Sequence, residues 1–432
     1  IARKLALVAG ERAGRLEEGE LWVEYAAAEL ARGVPSVREQ ADLEHVRAVL
    51  MLDRADYPAA IAAFEGALAK LDPNADASRV AALTDDLGTS LRKAGRYEEA
   101  ISRHREALQQ RESLLGPDHP DVARTMNNLA NALQESGRRD EAVQLHRESL
   151  SRRERSLGPE HPSVAMSLAS LAGAHYMLGE YEQAEPLLLR ALEIRERALG
   201  PRHKLVGSAL STLGLVLERL GRLEEAADAH RRSLAVQEHA YGKDHPAVAL
   251  SLNNLANVVS ALERLEESTA LYERAIQIQE IAAPDHPDLA VTIANLANIM
   301  TDLGKHDEAI SLHERALALR ERVLPAEHPD LIYSLRGLAR TLMTAERPHE
   351  ALPVLERAAA FIEVTQVEPA MAAIVRFDLA QALWETSTDR AQARRLVRDA
   401  RDALRALGGR EAEIAVELDA WLAAHPRTGA AN

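Results

Sequence analysis

Histidines supply the first candidates for chemistry. The chain has 16 of them, and His104, His146, His230 and His313 recur at intervals of 42 residues or near multiples. Imidazoles at one fixed helical position could hold a ladder of metal ions. Equivalent positions in neighbouring helical hairpins lie on the order of 10 Å apart, whereas ligands sharing one zinc sit within ~2.0–2.1 Å of it. Other copies carry Leu188 and Tyr272 at this place. A packed or hydrogen-bonded histidine is therefore favoured, and no metal or cofactor is expected. His119 and its equivalents read as linker and cap residues. Arg-Glu pairs recur at 111–112, 153–154, 195–196 and 320–321. Adjacent residues do not face each other on a helix, so these are expected to bond to neighbouring turns or repeats and to stay solvated. Asparagines form the third polar set: Asn127, Asn128 and Asn131, then Asn253, Asn254 and Asn257, then Asn295 and Asn298. Asn is a poor interior helix residue because its amide competes for backbone bonds, so its recurrence at mid-helix needs a reason.

No motif for catalysis accompanies them. HExxH, GxSxG, Walker A and GxGxxG are all absent, and no carboxylate pair stands out from the alternating charge of exposed helix faces. No catalytic residue is expected, and the chain reads as a non-enzyme.

The elements that position these residues follow from a period. His-Pro occurs at 119, 161, 245, 286 and 328, with His203-Lys204 filling the gap, so the spacing is 42, 42, 42, 41 and 42. Such a register decides architecture. The unit LGPDHPDVARTMNNLANALQESGRRDEAVQLHRESLSRRERS (Leu115 to Ser156) holds two apolar stripes at helical spacing. Val122, Met126, Leu129, Ala130 and Leu133 make the first; Ala142, Val143, Leu145, Ser149 and Leu150 make the second. Gly95, Gly137, Gly179, Gly221 and Gly304 separate such stripes, suited to the left-handed conformation that ends a helix. Pro after His falls in the first helical turn, where its missing N–H costs nothing. Each unit is thus a hairpin of a helix A and a helix B.

Ala or Gly recurs at 130, 172, 214, 256, 297 and 339 in helix A, and Ala at 100, 142, 184, 226, 309 and 351 in helix B. Small residues there let the helices approach closely. This explains why a chain that is 47% apolar is only 3% aromatic. Glu263 and Glu346 replace the turn glycine, and Ser268 replaces a helix-B alanine, so those units are expected to be looser.

Composition excludes other classes. The chain has 432 residues, no Cys, and 52 Lys plus Arg against 67 Asp plus Glu, a net charge of −15. That charge repels a phosphate backbone, so no nucleic-acid partner is expected. No run of 18 apolar residues occurs, so no membrane insertion is expected, and a cytoplasmic location fits the lack of Cys. The first residue is Ile, which reads as a piece cut from a longer polypeptide.

The pattern resembles the tetratricopeptide repeat, in the 42-residue form of kinesin light chains. Asn-Asn-Leu-Ala at 127–130 and 253–256, Asn-Leu-Ala at 295–297, Gly-x-x-x-x-Ala at 95–100, 137–142, 179–184 and 221–226, Ala-Leu at 107, 191 and 316, and the Leu-Gly-Pro-x-His linker carry the resemblance. It implies an all-α fold, a right-handed superhelical solenoid of about nine antiparallel hairpins. The expected organisation is degenerate N-terminal helices at 1–40, a short first repeat at 41–77, seven repeats of 41–42 residues at 78–359, a degenerate repeat at 360–408, a capping helix at 409–425 and a flexible tail at 426–432.

In this family helix A lines the concave surface, and matching asparagines of kinesin light chains hold a peptide backbone. The resemblance therefore implies a groove built from Asn127, Asn128, Asn131, Tyr176, Asn253, Asn254, Asn257, Asn295, Asn298, Arg336 and Arg340. The alternative is that the asparagines fix repeat stacking; Asn131, Asn257 and Asn298 are the ones expected to point furthest into the groove. Met166, Ala169, Gly173, Met177, Ser208, Ser211, Leu215, Glu218, Arg219, Tyr333 and Met343 complete a mostly neutral surface. A carboxylate clamp needs several basic residues beside Asn, and only Lys93, Arg336 and Arg340 are near. The expected partner is an extended protein or peptide segment held through backbone amides and apolar side chains. Gly-Glu-Leu-Trp (19–22) and the stretch 377–408 also resemble the repeat region that follows the catalytic domain of large bacterial serine/threonine kinases. This implies the regulatory or substrate-recruiting part of a signalling protein, or alternatively the C-terminal part of a kinase whose catalytic domain lies upstream.

Overall fold

The computed structural model describes residues 16–365 and 367–426. The expected tail, apart from its first residue, and residues 1–15 of the expected N-terminal helices lie outside these residues. Every regular element among the described residues is an α-helix, and consecutive helices within residues 16–221 and within residues 222–426 pack as antiparallel hairpins. Contacts divide the chain into two units, Ile1–Gly221 and Arg222–Asn432.

The first unit opens with α1 (Leu16–Ala31), α2 (Val37–Asp53) and α3 (Tyr57–Leu68). Ser36 starts α2 through a capping box with Glu39, which places a helix across the expected boundary at residue 40. The regular repeats follow as α4 (Ala77–Lys93), α5 (Tyr97–Leu115), α6 (Pro120–Glu135), α7 (Arg139–Leu157), α8 (Pro162–Met177), α9 (Tyr181–Leu199) and α10 (Lys204–Arg219). The even-numbered members of this series are A helices and the odd-numbered are B helices.

The second unit begins with a B helix, α11 (Leu223–Tyr241). It continues through α12 (Pro246–Ala261), α13 (Leu265–Ala282), α14 (Pro287–Asp302), α15 (His306–Val323), α16 (Asp330–Thr344) and α17 (Pro348–Val364). It closes with α18 (Pro369–Glu385), α19 (Arg390–Leu407) and α20 (Gly409–Ala424).

The linker histidines act as caps. At His119, His161, His203, His245, His286 and His328, Nδ1 accepts the backbone N–H two residues on, at 3.1–3.2 Å. This satisfies one orphan donor of each helix start, and everywhere except at His203 the following Pro supplies a residue that needs no acceptor.

The small-residue positions are the seams between helices: Ala130, Ala172, Ala256 and Ala297, and Ala100, Ala142, Ala184, Ala226, Ala309 and Ala351, are fully buried. The units at Glu263 and Glu346 are not rearranged. Both glutamates take the left-handed conformation of the glycines they replace, with φ of 60° and 57°. Ser268 is fully buried too, and its hydroxyl donates to the Ala256 carbonyl at 2.9 Å.

The rings missing from the repeats collect at the ends. Every Phe and Trp lies outside residues 78–359. Trp421 of α20 stacks on His425 at 4.1 Å and meets Trp384 edge-on at 5.5 Å. With Ala415 and Leu418 buried on the same helix, α20 covers α19. No helix among the described residues is long and apolar enough to cross a membrane.

Candidate functional site

Each unit carries its own set of helix-A polar residues. In the first unit Asn127 is buried, and its carbonyl oxygen lies 2.9 Å from His146 Nδ1. It belongs to the seam between its own helices A and B. Asn128 instead reaches the preceding A helix, where its amide donates to both Asp85 carboxylate oxygens at 3.3 and 3.4 Å. Asn131 is half-buried one turn along. Tyr176 accepts from Arg219 Nε at 3.2 Å and packs edge-on against Tyr181.

In the second unit, Asn253, Asn257, Asn295, Asn298, Arg336 and Arg340 come together. Asn295 donates to the side-chain oxygens of Asn253 and Asn257, each at 3.4 Å. Tyr272 also donates to Asn257. Arg340 donates to Asn298 at 2.7 Å, and Arg336 pairs with Asp378 at 2.6 Å. Asn254 is half-buried on the same helix as Asn253. Asn253, Asn257, Asn295 and Asn298 thus share bonds between one A helix and the next, while their helices still present a surface.

That surface has a repeating apolar component. Leu250, Val291 and Tyr333 occupy the same position in three successive A helices and are 59%, 37% and 51% exposed. Two recesses flank Val291. One of about 310 Å³ is lined by Leu250, Asn253, Gln279 and Thr292; the other, of about 330 Å³, by Asn295, Asn298, Tyr333, Arg336 and Arg340.

The helix-B histidines and arginines, read from sequence as packed and as solvated respectively, both turn inward. His104 donates to Asp85 at 2.8 Å, and both side chains are buried. Arg111 donates to the other Asp85 oxygen at 2.6 Å. Arg153 donates to the Ser163 carbonyl and to Ser167 Oγ, and Arg320 to the Asp330 carbonyl and to Ser334 Oγ. Arg111, Arg153 and Arg320 are therefore buried, which corrects the expectation of solvated pairs. Their Glu neighbours do reach out of the repeat: Glu112 to Arg152 at 2.7 Å, Glu154 to Arg190 at 2.6 Å, and Glu321 to Arg357.

Burial opposes the charge on Asp85, but the bond from His104 and the charge of Arg111 outweigh it and bring its pKa down to about 2. His146, His230 and His313 are pushed down to about 4 by burial, reinforced at His313 by Arg340 and Arg320. Among the described residues no group of three or more His, Asp or Glu is placed to hold a metal.

A stack of 42-residue helical hairpins, with small residues at the seams and a polar A face, defines a repeat scaffold. The family model of the tetratricopeptide repeat matches residues 79–155, 127–197, 164–239, 205–281 and 288–363, more than half of the chain. The chain belongs to the tetratricopeptide repeat family, whose members are generally non-catalytic and whose scaffold supports a protein-interaction role. No curated protein matches it. Among solved structures, the apo quorum sensor NprR from B. thuringiensis shares the fold at 15% identity, with a TM-score of 0.57, covering 74% of this chain and 86% of that one. A putative kinesin light chain from Podosopora anserina with nearly identical TPR-like repeats is 27% identical, covering 48% of this chain and 100% of that one, with a TM-score of 0.44. BtubC (BKLC) from P. vanneervenii is 22% identical, covering 53% of this chain and 91% of that one, with a TM-score of 0.48.

Proposed function

We propose that the chain is a non-catalytic scaffold whose A-helix face in the second unit binds an extended protein segment. The observation that carries this is the exposed row Leu250, Val291 and Tyr333, one large apolar side chain per repeat, beside the two recesses. Contiguous exposed apolar surface is unfavourable in water unless a partner covers it. The flanking amides of Asn253, Asn257, Asn295 and Asn298 offer donors and acceptors to an extended backbone, and those of Asn128 and Asn131, with Tyr176, do so in the first unit. Asn127, turned into its own seam, is left out of this role.

The test is selection from a random peptide library displayed on phage. The wild-type chain is expected to enrich a sequence family, and a chain with Leu250→Asp, Val291→Asp and Tyr333→Asp to enrich none while keeping its helical circular dichroism. Equal enrichment by both chains would overturn the reading. A role in the regulatory or substrate-recruiting region of a cytoplasmic bacterial signalling protein, with a serine/threonine kinase domain upstream as the alternative parent, rests on the resemblance of the flanks. Given ATP and a serine/threonine peptide, this chain is expected to transfer no phosphate.

A further inference from the structure

One chain contains several versions of the same internal contact. A helix-A residue faces two helix-B residues, 19 and 26 positions further on. Asp85 faces His104 and Arg111, and its carboxylate bonds to both. At the next copy Asn127 accepts from His146. At the copy after that the helix-A residue is Ala169 and the first helix-B residue is Leu188, so an apolar residue meets an apolar one. Two copies break this matching: His230, opposite Ser211, is buried with no partner on either ring nitrogen, and a charge is added to the mismatch in the copy that begins at His286. Its helix-B residues are His313 and Arg320, as in the Asp85 copy, but the helix-A residue is Ala294.

The consequence is a positive, unfilled position. His313 is 1% exposed, and neither ring nitrogen has a hydrogen-bond partner. Arg320 is 6% exposed, and its hydrogen-bond partners are the neutral Ser334 hydroxyl and the Asp330 carbonyl, where Arg111 has a carboxylate. A buried imidazole without a partner, beside a buried guanidinium without a carboxylate, is unfavourable. Gly337 on the next A helix makes room for the imidazole itself, since a Cβ there would lie 2.8 Å from His313 Cε1. The 330 Å³ recess opens onto this position, and both His313 and Arg320 line it.

We propose that this recess accepts a carboxylate from the bound segment, which takes the place that Asp85 fills within the first unit. One oxygen accepts from a ring N–H of His313 and the other from Arg320, with Asn295 and Arg340 at the mouth. His313 is neutral at pH 7, so one ring nitrogen carries the proton to donate, and Arg320 supplies the charge. The inference rests on the A face being a binding surface. It departs from the expectation of a segment held through backbone amides and apolar side chains alone. The A helices alone carry too few basic residues for that, but His313 and Arg320 come from helix B.

Small probes test the recess separately from segment binding. N-acetyl-aspartyl amide with a blocked backbone presents a side-chain carboxylate, N-acetylglycine presents a terminal one, and acetamide is the neutral control. Binding is read from the His313 imidazole signals in NMR spectra of the whole chain. One or both carboxylates are expected to saturate a single site, and the tighter one identifies the source. Acetamide is expected to bind ~10-fold or more weakly. Two variants copy arrangements the chain already uses. Ala294→Asp restores the Asp85 arrangement and is expected to abolish probe binding. His313→Leu copies Leu188 and is expected to weaken binding ~10-fold or more, read from Tyr333 signals. Saturation by acetamide equal to the carboxylates, no saturation by either carboxylate, or undiminished binding to folded Ala294→Asp would overturn the proposal. Absence of carboxylate saturation in the wild-type chain with its library selection intact counts against this inference alone, and carboxylate saturation without library selection counts against the scaffold reading alone.

Discussion

His104 Nδ1 lies 2.8 Å from Asp85 Oδ1, with both side chains buried between two helices of one hairpin. Arg111 holds the second carboxylate oxygen, and Asn128 reaches both from the next A helix. One carboxylate thus ties helix A to its own helix B and to the following repeat.

Removing that carboxylate strands a buried guanidinium. Asp85→Ala is expected to cost about 3–5 kcal/mol, with the loss concentrated in the amide protection of α4 to α6. Asp85→Asn should cost less, since its oxygen can still accept from His104 as Asn127 does from His146. Hydrogen exchange measures both; a loss in Asp85→Ala below about 1 kcal/mol would contradict the arrangement.

Acid should weaken the fold in two stages. His146, His230 and His313 have native pKa values near 4, against ~6.5 in an unfolded chain. As pH falls below ~6.5 the unfolded chain binds protons that the native state takes up only near 4, so stability is lost across that window. Each histidine contributes up to about 3 kcal/mol to this loss. Asp85 acts lower: its stabilisation is complete above the unfolded value of ~3.9 and disappears as pH falls through about 2. Thermal melts from pH 7 to 3 should show the first stage, and replacing His146 and His230 by Leu should flatten it.

Two glycines in A helices should respond in opposite directions to Ala. A Cβ on Gly88 would lie 2.8–2.9 Å from three atoms of the His104 ring. That ring is held by Asp85 and cannot swing aside, so Gly88→Ala is expected to destabilise by about 1–3 kcal/mol through overpacking. Gly173 has nothing within 4 Å of the same position. Gly173→Ala should stabilise by about 0.5–1 kcal/mol through helix propensity alone. Chemical denaturation of the two variants decides the matter, and a shift of the same sign in both would contradict it.

The period, the caps and the small-residue seams were legible in the sequence because each is a local requirement repeated in register. His119 caps whatever helix follows it, and Ala130 is small wherever two helices cross. The site was less legible because it depends on which side of a helix each amide faces. Asn127 and Asn128 are neighbours in sequence, yet one turns to His146 across its own hairpin and the other to Asp85 in the preceding repeat. The recess at His313 was visible only as a mismatch between Ala294 and residues 19 and 26 positions away. A signal existed, since comparing that trio with Asp85, His104 and Arg111 exposes the missing acid. It requires knowing that those three positions touch.

Strain at the two turns that lack glycine provides a last expectation. Glu263 and Glu346 hold φ of 60° and 57° between helices A and B, where Gly95, Gly137, Gly179 and Gly304 stand in other repeats. A non-glycine residue in this region carries about 1–2 kcal/mol of steric strain, because Cβ crowds the following carbonyl. The turns persist because the next residue bonds back across them: Arg264 N–H donates to the Val259 carbonyl at 3.1 Å, and Arg347 N–H to that of Leu342 at 2.9 Å. Glu263→Gly and Glu346→Gly should therefore each stabilise the chain by about 1 kcal/mol, with the entropy of the unfolded glycine offsetting part of the relieved strain. Glu263 and Glu346 are exposed, so no packing is lost. A higher denaturation midpoint in each variant, nearly additive in the double variant because the turns lie two repeats apart, is the expected result. A lower midpoint in either would show that its glutamate contributes more through its side chain than the turn geometry costs.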